Sequence, residues 1–152
     1  MRAVVQRVTR AEVRVLDGGP DADSGQVVGQ VSAPGLCVFV GVTHTDTPAH
    51  ARRLADKLAT LRVFDTAEGE RCAVDVGASV LVVSQFTLYA DLSRGRRPSW
   101  IAAAPGPTAE PLVDEVVARL RAAGLAVATG RFGAHMAVDL VNDGPMTLLV
   151  EV

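Results

Sequence analysis

The stretch Val-Leu-Val-Val-Ser-Gln-Phe-Thr-Leu (80–88) sets three hydrogen-bonding side chains, Ser84, Gln85 and Thr87, directly behind four aliphatic residues. Left unpaired in an apolar interior, each would cost about 1–3 kcal/mol. The stretch therefore reads either as a strand leaving the core at a sheet edge or as a pocket wall at the strand's end. Two hydroxyls and a carboxamide can orient a carbonyl or a water, but a hydroxyl becomes a strong nucleophile only beside a base. No base is evident. His44, His50 and His135 are scattered; His50 falls in a helical stretch and reads as a solvated surface residue, and His135 begins a strand, where a structural role is the simpler reading. Asp75, Asp91 and Asp139 show no pairing, and there is no Gly-x-Ser-x-Gly elbow, P-loop or dinucleotide fingerprint.

Two further stretches carry chemistry. Ser-Arg-Gly-Arg-Arg-Pro-Ser-Trp (93–100) places Arg94, Arg96 and Arg97 beside Trp100, and arginine forks match phosphate oxygens. Alone, the same run suits an ordinary solvated loop. Asn-Asp-Gly-Pro (142–145) lies between two apolar alternating runs. Asp-Gly there signals a hairpin turn, yet Pro145 removes a backbone donor just where a returning strand would begin to pair.

These groups must be held by a small number of elements. At 152 residues, about half of them apolar, the chain suits one domain with a real hydrophobic core. Its longest apolar runs are far too short to span a membrane, and the N-terminus lacks a signal-peptide pattern, so a cytoplasmic protein is expected. Net charge is −2, which does not mark a nucleic-acid binder, and fourteen of the fifteen basic residues are arginine. Cys37 and Cys72 form no disulfide framework and have no metal-ligand spacing to a histidine, so neither a metal nor a cofactor is expected.

Alternation predicts strands over 2–8 and 11–16, a Gly/Asp/Pro-rich turn at 17–25, and a strand at 26–31. The continuously apolar run 35–42 suits a strand buried on both faces. Thr47 as N-cap and Pro48 at the first position open a helix with Ala51, Leu54, Ala55, Leu58 and Leu61 on one side. A long strand is expected over 78–90, then an arginine-bearing loop at 91–107, and a helix from near Thr108 to a cap at Gly124. Three strands, 125–130, 135–142 and 146–152, complete the expectation of an α/β fold of mostly antiparallel sheets with two helices.

Taken together, Gln-Arg-Val-Thr-Arg-Ala (6–11), the 79–91 stretch, 94–100, Thr-Gly-Arg-Phe-Gly-Ala-His-Met (129–136) and Leu-Val-Asn-Asp-Gly-Pro-Met-Thr-Leu (140–148) resemble the D-aminoacyl-tRNA deacylases nearly end to end. The resemblance implies a homodimer with a barrel-like core that hydrolyses the ester of D-aminoacyl-tRNA, as chiral proofreading in translation quality control. It implies that Ser84, Gln85, Phe86 and Thr87 form the catalytic wall. It implies that Gly144, Pro145 and Met146 cross from the partner subunit to bind substrate through a Gly-cis-Pro motif steadied by Arg7. L-aminoacyl-tRNA would be rejected by a clash with that backbone, whereas glycyl-tRNA, including glycine misattached to alanine tRNA, would escape it. The longer 17–25 turn, the altered 71–78 segment and Met146 depart from the family's pattern. Three other readings are an L-alanine-selective deacylase relative, a non-enzymatic nucleic-acid-binding module, and a structural dimer that uses Pro145 only as strand punctuation.

Overall fold

In the computed structural model, which describes residues 1–16, 25–93 and 95–152, three long strands dominate. They are β1 (Arg2–Val15), β2 (Gln26–Gly41) and β7 (Met136–Glu151). With β5 (Ser79–Ser84) and β6 (Ala126–Thr129) they form a five-stranded sheet in the order β6-β5-β2-β1-β7. The β1–β2 and β1–β7 ladders are antiparallel and long; the β2–β5 and β5–β6 ladders are short and parallel. Antiparallel pairing thus supplies most of the ladder length. β3 (Arg62–Thr66) and β4 (Gly69–Cys72) pair as a separate hairpin. The helices are α1 (Pro48–Thr60), α2 (Ala73–Val76) and α3 (Gly106–Ala122).

The helix signals hold. Thr47 is extended and Pro48 opens α1, while Gly124, at φ 89°, adopts the left-handed conformation just after α3. His50 is more than a solvated residue: its Nδ1 accepts the Thr47 backbone N–H at 3.1 Å, closing the start of α1. The short α2 has too few residues to show a period.

Several of the expected strands are in fact halves of one strand that contains an irregularity. Stretches 2–8 and 11–16 are one strand, β1, with a register shift between Val8 and Arg10. A one-residue slip moves side chains to the opposite face. Accordingly Ala3 and Val5 face one apolar cluster, while Val8, Ala11 and Val13 face the other. The 26–31 and 35–42 stretches are likewise one strand, β2, bulged at Ala33–Pro34. The expected long strand over 78–90 ends at Ser84 instead, and Phe86–Tyr89 is a 3₁₀ turn. Stretches 135–142 and 146–152 form the single strand β7.

Two apolar clusters lie on the two faces of β5: Val80 and Val82 join α1 and α3 residues, including Leu54, Leu58, Val116 and Leu120, and Leu81 and Val83 join Val8, Val13 and Cys37. Central strands buried on both faces explain why the 35–42 and 78–83 runs are continuously apolar. Most of the Gly/Asp/Pro-rich turn (17–24) and Arg94 lie outside the described residues.

Candidate active site

β2 and β5 run parallel and end side by side at Gly41 and Ser84. Crevices beyond the carboxyl ends of parallel strands are where α/β sheets bind ligands. A cavity of about 490 Å³ opens there, with Ser84, Gln85, Phe86, Trp100, Phe132 and His135 in its lining. Backbone geometry makes β5 end at this point. The Gln85 N–H donates to Val40 O at 2.7 Å, after which the chain enters the 3₁₀ turn. Gly41 permits that turn: a Cβ there would lie 3.0 Å from Leu88 Cβ and 3.1 Å from Gln85 O. Arg2 steadies the far side, with Nη1 donating to Leu88 O at 2.7 Å and the guanidinium 4.8 Å from the Tyr89 ring centroid.

The four wall residues therefore differ in setting. Ser84 and Gln85 are half-buried in the cavity lining, and Phe86, 56 % exposed, meets Trp100 edge-on with ring centroids 5.4 Å apart. Thr87 lies one step further along the turn, outside that lining, and its Oγ1 accepts a hydrogen bond from Gln85 Nε2. No ring nitrogen is bonded to either hydroxyl among the described residues. His44 Nε2 donates to Ile101 O at 2.8 Å, His50 is the α1 cap, and His135 stands exposed at the cavity. Cys37 offers no alternative nucleophile, because burial pushes its thiol up to about 12. Among the described residues no group of three or more His, Cys, Asp or Glu is placed to hold a metal.

The arginine loop adjoins the cavity. Asp91 and Ser99 pair backbone to backbone at 2.8 and 3.0 Å, closing the loop that carries Arg96 and Arg97 at its exposed tip. Trp100, next after the closing pair, lines the cavity. Asp91 also accepts a hydrogen bond from the Ser93 N–H, which holds its carboxyl below the usual range.

Gly144 and Pro145 are placed elsewhere. Where β1 advances from Gln6 to Val8, its partner β7 steps from Thr147 to Asn142, so residues 143–146 are extruded from the ladder opposite Arg7. The Asp-Gly-Pro stretch is thus a large bulge within one strand, not a hairpin turn; the Gly144–Pro145 peptide is cis. Gly144 and Pro145 are exposed, and Met146 packs partly against the helix-side cluster. Arg7 is buried beneath the bulge. Its Nη1 donates to Val63 O at 2.6 Å and Asp65 Oδ2 at 2.9 Å, while Nε donates to Asp143 O at 3.3 Å and pairs with its carboxylate at 2.9 Å.

One chain therefore brings Ser84, Gln85 and Phe86 to the cavity, and Arg7 to the Gly144–Pro145 bulge, but does not bring the two groups together. The bulge is absent from the cavity lining, and β2 and β1 separate β5 from β7 in the sheet. Residue reading missed Phe132 and Arg2 as site components. Phe132 had a signal, since it lies in the 129–136 stretch that carries part of the family resemblance; Arg2 had none, since its partner Leu88 is far along the chain.

Comparison with known proteins gives a consistent result. The family model described as D-Tyr-tRNA(Tyr) deacylase matches residues 4–151. Proteins named D-aminoacyl-tRNA deacylase from Nocardia farcinica and Thermobifida fusca are 61 % and 59 % identical, with 99 % and 100 % of both chains covered. A solved structure titled c-Myc DNA Unwinding Element Binding Protein is similar at TM-score 0.86 and 34 % identity, covering 100 % of this chain and 99 % of that one. A probable eukaryotic D-amino acid tRNA deacylase, at TM-score 0.81 and 16 % identity over 99 % of this chain and 98 % of its own, shares the fold.

Proposed function

This chain belongs to the D-Tyr-tRNA(Tyr) deacylase family and is a hydrolase acting on ester bonds, a D-aminoacyl-tRNA deacylase; from that premise we propose that it works as a homodimer whose two half-sites meet across the subunit interface. The observation that carries this reading is the separation just described: an exposed backbone bulge, anchored by a buried arginine, stands outside its own chain's cavity. In a dimer, the bulge of one protomer faces the cavity of the other.

The tRNA's terminal adenosine enters the cavity with its base against Phe132 and Trp100, and the flanking phosphates approach Arg96 and Arg97. The ester carbonyl lies at the start of the 3₁₀ turn. Phe86 and Thr87 open that turn, so their N–H groups have no partner within it and can receive the oxyanion. Ser84, Gln85 and Thr87 orient the ester and the attacking water. Water adds to the carbonyl carbon, the bond to the ribose oxygen breaks, and that oxygen leaves with a proton, which the neighbouring 2′-hydroxyl can relay. An aminoacyl ester is already activated, so positioning and oxyanion binding supply the catalysis without a protein nucleophile.

The partner's Gly144 and Pro145 carbonyls bind the α-ammonium group. With the ester and ammonium both fixed, a D side chain points outward and an L side chain strikes the bulge, which gives chiral selection by exclusion. Glycine has no side chain to exclude, so glycyl-tRNA is also cleaved. The deciding experiment follows ester loss from matched D-tyrosyl-, L-tyrosyl- and glycyl-tRNA. Rapid loss from the D and glycyl esters with the L ester spared is expected. Equal D and L rates overturn the gate, selective loss of L-alanine identifies the L-alanine-selective alternative, and tRNA binding without turnover identifies a binding module.

A further inference from the structure

We propose that Asn142 is a positioning residue for chiral selection, clamping the neck of the bulge so that Gly144 and Pro145 present their carbonyls in one fixed orientation. This rests on the reading of that bulge as the gate. Extruding residues from a strand removes their ladder hydrogen bonds, and something must replace them for the extruded backbone to hold one shape. The Asn142 side chain does so. Its Nδ2 donates to Arg7 O across the ladder at 2.9 Å and to Met146 O across the neck at 3.0 Å. Both amide protons are thereby used. Its Oδ1 accepts from Thr147 Oγ1 at 3.4 Å, and Thr147 Oγ1 in turn accepts from Gln6 Nε2 at 3.1 Å.

The direction of this relay fixes the carboxamide. Turned over, it would set its oxygen against two carbonyl oxygens, so only the orientation found satisfies every partner. A carboxylate cannot replace it, having no proton for either carbonyl. On the other shoulder, Arg7 Nε holds the Asp143 carbonyl and carboxylate. Both feet of the bulge are therefore tied by side chains, leaving the Gly144–Pro145 backbone between them to face substrate.

The test measures kcat/KM for D- and L-tyrosyl-tRNA, with thermal unfolding and oligomer size as controls. Asn142→Asp is expected to lower the D-to-L ratio by about tenfold or more, with the loss in selectivity exceeding any change in KM for the D ester. Thr147→Val is expected to act in the same direction, and Thr147→Ser, which restores the hydroxyl, to recover the ratio. A cooperatively folded Asn142→Asp with an unchanged ratio overturns the clamp. If that variant fails to fold, Thr147→Val decides, and an unchanged ratio there overturns it equally. Gly144→Ala probes the gate itself: its added methyl lies 3.6 Å from Asn142 Oδ1, an ordinary van der Waals contact that leaves the clamp's hydrogen bonds in place. Should it leave the ratio intact, the gate itself fails and the clamp with it; should it collapse the ratio while both clamp variants do not, only the clamp fails.

Discussion

Thr87 Oγ1 takes a hydrogen bond from Gln85, and Ser84 lies half-buried in the cavity wall with no histidine bonded to it among the described residues. Neither hydroxyl has a partner among the described residues that would turn it into a nucleophile, so the proposed role of each is to orient substrate. Removing one neutral orienting contact costs about 1 kcal/mol, roughly a factor of ten in rate at most. Ser84→Ala and Thr87→Ala are therefore each expected to keep kcat/KM for D-tyrosyl-tRNA within about tenfold of the parent. A thousandfold loss in either, measured under single-turnover conditions, would instead establish a hydroxyl-centred reaction. At this scale the sequence was most informative. Polar residues abruptly ending an aliphatic run mark a change of surroundings whatever the fold around them. Phe132 and Arg2 stayed hidden because an aromatic or an arginine is common on any surface and acquires a role only through its neighbours.

Element by element, the sheet is built from strands that tolerate irregularity and use it. β1, β2 and β7 each span 14–16 residues and each contains a break in alternation. Residue patterns represent such breaks as strand ends, because a slip of one position resets the period of two. The largest break, in β7, is maintained by Arg7 from β1. Replacing Arg7 with Ala leaves the Val63 carbonyl and the Asp143 group without their donor, which costs about 1–3 kcal/mol. Urea unfolding is expected to register a loss in that range, together with a fall in D-to-L selectivity. The exposed Arg10–Asp139 pair, also between β1 and β7 at 2.7 Å, provides the contrast. Arg10→Ala should change stability by less than about 0.5 kcal/mol, since exposed pairs contribute little. Equal effects from the two substitutions would show that the buried network does not shape the bulge.

For the whole molecule, the proposed dimer explains why a chain with a well-formed cavity should carry the bulge proposed as its stereochemical gate outside that cavity. Complementation tests this directly. One variant blocks the cavity (Ala103→Trp), and a second alters the gate (Gly144→Ala); each alone is expected to be inactive or unselective. Mixed after reversible dissociation, half of the dimers pair one variant of each kind and regain one intact site, so selective activity should return to roughly a quarter of the parent's. A mixture as defective as its components would place cavity and gate in the same protomer. The conspicuous apolar exposure of Leu149 and Val141 on β7, a strand at the sheet edge, is consistent with a covered surface there.

By itself the sequence determined the two main helices, the Thr47–Pro48 start of α1 and the Gly124 stop after α3, the doubly buried run at 35–42, the polar residues behind the 80–83 aliphatic run and the five stretches on which the family resemblance rests. Each is a local property: a period, a cap or a composition break is written in adjacent residues. Only the tertiary structure decided that β5 stops at Ser84, that β7 continues through Gly144–Pro145, and that Arg7 and Asn142 converge on that bulge. Those outcomes depend on hydrogen bonds between residues distant in the chain: Gln85 to Val40 at the end of β5, and, more than one hundred positions apart, Asn142 to Arg7 and Arg7 to Asp143 at the bulge. No local pattern encodes such a partner. The proline looked like punctuation until the strand pairing showed the chain running on past it.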